Sequence, residues 1–190
     1  MAEEKEAVEG GGEGILPGSD PAAVALAGCS REEADALLRA RAQVAALQGQ
    51  DARADYWFAR ATAIAPSSPY AESEWGQAPL DRRKPDEAIK KCKLSNQKGP
   101  HFADPLEGWG EALMAKNRPH RALEKFAEAE KYAPNWGRLH LKWGEALAWS
   151  GNKEEAAKHF ARAAALDLTR SEKLALTEWA AMFEAERRSP

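Results

Sequence analysis

The sequence predicts an all-α array of helix-turn-helix repeats followed by one further helix. Trp109-Gly110-Glu111-Ala112-Leu113 recurs as Trp143-Gly144-Glu145-Ala146-Leu147, 34 residues later, and the same step backwards reaches Trp75-Gly76. In the same register Ala54, Phe58 and Ala61 recur as Ala122, Phe126 and Ala129, then as Ala156, Phe160 and Ala163, with Ala88, Cys92 and Ser95 between them. Pro66, Pro100 and Pro134 close three units, and Leu168 holds that place in the fourth. A fixed period of this length marks units that bury their apolar faces by stacking on one another.

The elements follow in order. Residues 1–29 are predicted to be a flexible leader, acidic and broken by Gly10, Gly11, Gly12, Gly14, Pro17 and Gly18, with too little apolar surface to offset its ordering entropy. Its first 20 residues carry Glu3, Glu4, Glu6, Glu9, Glu13 and Asp20 against Lys5, a net charge of -5. The glycine run lacks the Gly-Lys-Ser/Thr ending of a phosphate-binding loop. A short helix is expected from Asp20-Pro21 to about Gly28. Ser30-Arg31-Glu32-Glu33 reads as a capping box that opens a helix running to about Leu47. The repeat domain spans 30–187, with units at about 35–68, 69–102, 103–136 and 137–170 and a last helix at 171–187. Gly49 and Gly151 fall in equivalent turns. Asp104-Pro105 supplies an N-cap and a first-turn proline.

The small residues have a packing reason. Glycine is a poor helix former, so Gly110 and Gly144 mark places where a neighbouring helix comes close, and the alanines of the facing helix are small for the same reason. Phe126 and Phe160 fill the space between. The second unit departs from this pattern, because Pro79 stands where Leu113 and Leu147 stand elsewhere, and Pro85 follows. Its first helix is predicted to stop near Ala78, leaving Leu80 to Lys84 as a loop and this unit as the loosest joint. Thr169-Arg170-Ser171-Glu172 is a capping box for the last helix, with Leu174, Leu176, Trp179, Met182 and Phe183 facing inward.

Leu106, Trp109, Gly110, Leu113, Ala122, Phe126, Ala129 and Pro134 together resemble the tetratricopeptide repeat pattern, and the match recurs in register from 35 to 170. The resemblance implies a right-handed superhelical array with a C-terminal capping helix. It also implies a concave groove, lined by the first helices, that holds a peptide or protein segment. Carried over, the groove residues are Arg39, Gln43, Tyr70, Gln77, Asp104, Glu107, Glu111, Met114, Arg138, Lys142, Glu145 and Trp149. The two-carboxylate clamp of some members is not reproduced: Arg39, Gln43, Glu74, Asp104 and Gly108 occupy its places in one window, and Ser73, Gln77, Gly108, Arg138 and Lys142 in the next. The middle of the groove reads as acidic, from Asp104, Glu107, Glu111 and Glu145, which suits a partner with basic or amide donors.

Composition narrows the function further. The formal net charge is -3, and the chain beyond residue 20 is close to neutral, so a nucleic-acid partner is not expected. No apolar run is long enough to span a membrane, and Met1 to Gly14 lacks a secretory pattern. With only Cys29 and Cys92, no disulfide framework is expected, and the location read from these signs is cytoplasmic. The Ala- and Arg-rich composition suits a bacterial source. His101, His120, His140 and His159 lack the spacing of a metal pair and read as surface or helix-end groups. Cys92 takes the place of a core phenylalanine and reads as a buried structural thiol. Trp75, Trp109 and Trp143 read as core, whereas Trp136 and Trp149 break the repeat and are expected to be partly exposed. No catalytic constellation, metal site or cofactor is expected. The function read from the sequence is a non-catalytic scaffold for a protein or peptide partner, monomeric or weakly self-associating. A self-associating structural module, or a regulatory subunit of a larger assembly, is the alternative.

Overall fold

Helix α1 (Arg31–Leu47) begins where side chains satisfy its free N–H groups. Ser30 Oγ accepts from the Glu33 N–H at 3.2 Å, and the Glu33 carboxylate accepts from the Ser30 N–H at 2.7 Å. This is the predicted capping box. The computed structural model describes residues 26, 28–81 and 84–188, and most of the expected leader, with the short helix after Asp20, lies outside them. Among the described residues α1 is followed by α2 (Asp51–Ile64), α3 (Tyr70–Asp81), α4 (Pro85–Lys98), α5 (Ala103–Ala115), α6 (Pro119–Glu130), α7 (Gly137–Trp149), α8 (Lys153–Ala164) and α9 (Arg170–Arg188), with no strand. Helices α1 and α2, α3 and α4, α5 and α6, and α7 and α8 pack as pairs. Each pair also touches the next, first helix against first helix and second helix against the following first helix, and α9 rests on α7 and α8.

The turns inside the pairs share one backbone device. Gly49 and Gly151 have φ of 70° and 78°, and Asn117, at the same step of 34 residues, has φ of 53°. Asparagine accepts this left-handed conformation far more readily than most side chains, so the turn survives without glycine. The equivalent residue of the second pair, Arg83, lies outside the described residues.

The core is built on close approach. Phe58, Phe126 and Phe160 are buried, flanked by fully buried Ala54 and Ala61, Ala122 and Ala129, and Ala156 and Ala163. A β-carbon on Gly110 would lie 2.7 Å from Phe126 Cζ, and one on Gly144 would lie 2.6 Å from Phe160 Cδ1. Each ring occupies the space a side chain would need, which is why glycine stands there. Burying such a ring contributes roughly 1.5–3 kcal/mol.

A second repeating contact lies beside the first. Lys91 sits over the Trp75 ring, Lys125 lies 4.4 Å from the Trp109 centroid, and His159 stacks on Trp143 at 4.2 Å. These pairs are in register. In the first helix pair the same two positions hold Arg41 and Trp57, with the guanidinium 5.3 Å from the ring centroid. Cation and aromatic have changed places between the helices, and the contact is kept.

The pair α3–α4 has a different interior. Glu72 occupies the position of Leu38 and Leu106, is fully buried, and pairs with Lys98. Ser95, where the other second helices have alanine, donates to Pro69 O at 2.7 Å, and Cys92 replaces the phenylalanine. One buried apolar cluster ends at Ala71 and the next begins at Ala103.

Several local expectations are corrected. Helix α3 continues through Pro79 to Asp81 rather than stopping near Ala78. Proline there removes one hydrogen bond in the last turn, where few bonds remain to be lost. Phe102, with extended backbone, is the N-cap of α5, so Asp104 lies inside the first turn and not at the cap. Its charge still suits the helix N-terminus, and Pro105 falls where an N–H has no intrahelical acceptor. In α9 the predicted capping box forms between Thr169 and Glu172, and Leu176, Trp179 and Phe183 pack on the preceding pair. Leu174 and Met182 are instead exposed, at 61% and 42%, because they fall off that stripe and no helix covers the far side.

Gly110→Ala should lower stability by about 1–3 kcal/mol in urea denaturation, the usual cost of overpacking. Combining it with Phe126→Leu should cost less than the two changes separately, since the smaller side chain gives up the contested space. Strict additivity would contradict the contact.

Candidate functional site

The first helices place the predicted groove residues along one line: Arg39 and Gln43 on α1, Tyr70 and Gln77 on α3, Asp104, Glu107, Glu111 and Met114 on α5, and Arg138, Lys142, Glu145 and Trp149 on α7. Residues three, four and seven apart share a helix face, so the spacing on each helix sets them on one side.

The middle of this line is a charge network that joins neighbouring helices. Arg138 Nε donates to Glu107 at 2.9 Å, its Nη2 donates to Glu111, and its Nη1 lies 3.5 Å from Glu172 on α9. Lys142 reaches Glu145 at 3.1 Å and Glu111 at 3.6 Å. Glu107 is almost fully buried, and its carboxyl is raised well above the ordinary range by burial and then by the Glu111 charge. Burial pushes Glu111 in the same direction, but Arg138, the hydrogen bond with Glu107 and Lys142 outweigh it and leave its pKa lowered. A shared proton therefore resides on Glu107. The expectation of an acidic face offered to a basic partner is corrected here, because these carboxylates are already matched by Arg138 and Lys142 across the α5–α7 contact. The pairing was hidden in the sequence because Glu107 and Arg138 stand 31 positions apart.

At the other end Arg39 binds Asp35 at 3.0 Å and also binds Glu74 on α3, and its guanidinium lies 5.3 Å from the centroid of the Tyr70 ring. Tyr70 also meets the edge of Phe102 at 5.2 Å. Gln43, Tyr70 and Asp104 are exposed, and Gln77, Met114 and Glu145 are half-buried. Trp149 is 71% exposed, its ring touched edge-on by Trp179 at 6.2 Å. Trp136, expected to be partly exposed, is half-buried.

Sequence reasoning missed three participants. Asp35 and Glu74 hold Arg39, and Glu172 caps α9 while facing Arg138. The capping box was the available signal for Glu172, whose pKa is lowered, against the push of burial, by Thr169 and Arg138.

The histidines also differ from expectation. His140 is fully buried, with Nε2 donating to Pro134 O at 2.9 Å and Nδ1 3.3 Å from His159 Nδ1. That pattern makes His140 Nδ1 the acceptor and His159 Nδ1 the donor. Burial and then the neighbouring His140 lower the His159 pKa. The two read as separate surface groups in sequence because 19 residues part them, whereas the α7–α8 pairing brings them together. Among the described residues no three metal-ligating side chains converge, and no helix is long and apolar enough to cross a membrane. Cys92, buried among helices, has its thiol pushed up to about 12 by burial and by the Glu107 and Glu111 charges.

The arrangement is similar to known structures. TTC0263, a thermophilic TPR protein of Thermus thermophilus, superposes with a TM-score of 0.70 at 22% identity, over 78% of this chain and 82% of that one. A MamA structure from Desulfovibrio magneticus RS-1 gives 0.59 at 19% identity, over 77% of this chain and 90% of that one. A further MamA structure gives 0.59 at 18% identity, over 75% and 82%. No family model and no curated protein matches the sequence. The chain has the tetratricopeptide-repeat fold.

Arg138→Met should destabilise the chain by on the order of 3 kcal/mol in chemical denaturation, because it strands buried carboxylates. Adding Glu107→Gln should recover part of the loss. No loss in the single variant would contradict the pairing.

Proposed function

We propose that the chain is a non-catalytic scaffold that holds a peptide or protein segment along the face formed by α1, α3, α5 and α7. The observation that supports this reading is the pair of exposed aromatics on that face, Tyr70 and Trp149, on either side of a charge network that is already satisfied. Aromatic side chains supply large contact area at little conformational cost and dominate many binding surfaces. The face thus suits a segment that brings apolar side chains to Tyr70 and Trp149. Amide groups of the same segment would meet Gln43, Gln77 and Asp104. A strongly basic segment would have to displace Arg138 and Lys142 from their carboxylates, which works against it.

A second reading, a self-associating module, is favoured by one observation. Leu47 is 89% exposed and Val44 53% exposed at the end of α1, an apolar edge of the kind that pairs with a second copy.

A photoreactive residue at Gln43 or Asp104 should crosslink a partner from the source organism. Tyr70→Ala with Trp149→Ala should reduce its affinity about tenfold or more without changing the melting temperature. Unchanged affinity in the double variant would overturn the groove reading. A mass by light scattering that doubles with concentration, and reverts in Leu47→Glu, would favour self-association instead.

A further inference from the structure

We propose that a second site lies behind the first, a cationic cleft between α4, α5 and α6 that takes an acidic peptide segment with apolar side chains, and that its occupant is residues 1–20 of this same chain. The cleft has a volume of about 390 Å³, within the range of about 300–1,000 Å³ typical of ligand cavities. Ile89, Trp109 and Leu113 form its apolar part, and five cations stand around them (Lys93, Lys116, Arg118, Arg121 and Lys125) against the acids Asp86 and Glu124. Lys116 is matched by Asp86, and Lys125 is 2.6 Å from Glu128 just outside the cleft. Lys93, Arg118 and Arg121 remain exposed to solvent at the rim. The ammonium groups of Lys93 and Lys125 lie 5.1 and 4.4 Å from the Trp109 centroid, so the positive charge sits directly over the apolar floor.

This cleft is distinct from the proposed groove. Trp109 and Leu113 each stand two positions beyond Glu107 and Glu111 on α5, and two helical positions turn the side chain by about 200°, to the opposite face. The repeat explains the tryptophan but not the cations, because only Lys125 belongs to the recurring contact with the ring. Excess positive charge around an apolar floor suits a ligand with both properties.

Residues 1–20 have that chemistry. Six acids against one base give a net charge of -5, and Val8, Ile15 and Leu16 are interleaved with them. The connection is long enough. Helix α1 touches α3, and α3 touches α5. At about 8–10 Å between packed helix axes, α5 lies roughly 20 Å from α1. Residues 21–29 extended reach about 30 Å. An acidic segment with apolar side chains tethered this near a cationic cleft has a high effective concentration there, so modest intrinsic affinity suffices for occupancy.

The test uses the full chain with p-benzoylphenylalanine in place of Leu16, irradiated and mapped by mass spectrometry, in a mixture of isotopically light and heavy protein. Crosslinks within one chain to residues 86–93 or 109–125 are expected. Their yield should fall about tenfold in Lys93→Glu with Arg121→Glu, and similarly between about 0.05 M and about 0.5 M salt, where screening shortens from well beyond 10 Å to below it. If circular dichroism shows that the double variant is misfolded, the salt series on the unaltered cleft decides. Crosslinks spread over other faces, crosslinks only between light and heavy copies, or a yield indifferent to salt would each overturn the proposal.

Discussion

The structure depends on one constraint, the near contact of paired helices at a glycine that lies under a phenylalanine ring. Phe126 over Gly110 and Phe160 over Gly144 leave no room for a β-carbon, and the fully buried alanines on either side of each ring let the helices close around it. Once that distance is set, the remaining contacts take fixed places. The Trp109 ring meets Lys125, Trp143 meets His159, and the charged residues of α5 and α7 come within reach of each other. The exchange of Arg41 and Trp57 in the first pair shows that geometry, and not residue identity at either position, is what the array preserves.

The pair α3–α4 meets the same geometry with weaker materials. Gly76 faces Cys92, whose sulfur would lie 3.0 Å from an added β-carbon, so the helices still approach closely. The interior is nevertheless polar: the Glu72–Lys98 pair replaces apolar side chains, and Glu72 Oε2 has no hydrogen-bond partner there. A buried ion pair contributes less than well-packed apolar groups of similar volume, because desolvation opposes the attraction. The array is therefore divided between two apolar clusters joined by a polar pair. A scaffold whose first helices must adapt to a bound segment has its compliant joint at this position.

The residues that fix helix spacing were legible in the sequence, because each recurs at the same step and has one physical reason to be small or aromatic. The capping boxes at Ser30 and Thr169 were legible for the same kind of reason, since both partners lie within one turn. The charge network was only half legible. The positions of Glu107 and Arg138 on the groove face follow from the register, but their pairing follows from the distance between α5 and α7, which sequence spacing does not encode. His140 was misread because a histidine in a leucine position looks polar in sequence and is satisfied only by His159 and a carbonyl in space. Helix α3 runs further than expected because the cost of Pro79 depends on how many turns follow it.

The claim that α3–α4 is the weakest joint is tested most directly at Cys92, which lies in its interior and, with its thiol at about 12, reacts only after the pair opens. In a Cys29→Ser variant, the labelling rate of Cys92 should be measured across sub-denaturing urea concentrations. Labelling through a local opening at least about 2 kcal/mol below global unfolding, with little dependence on urea, is the predicted result. Labelling that follows the full urea dependence of global unfolding would contradict it.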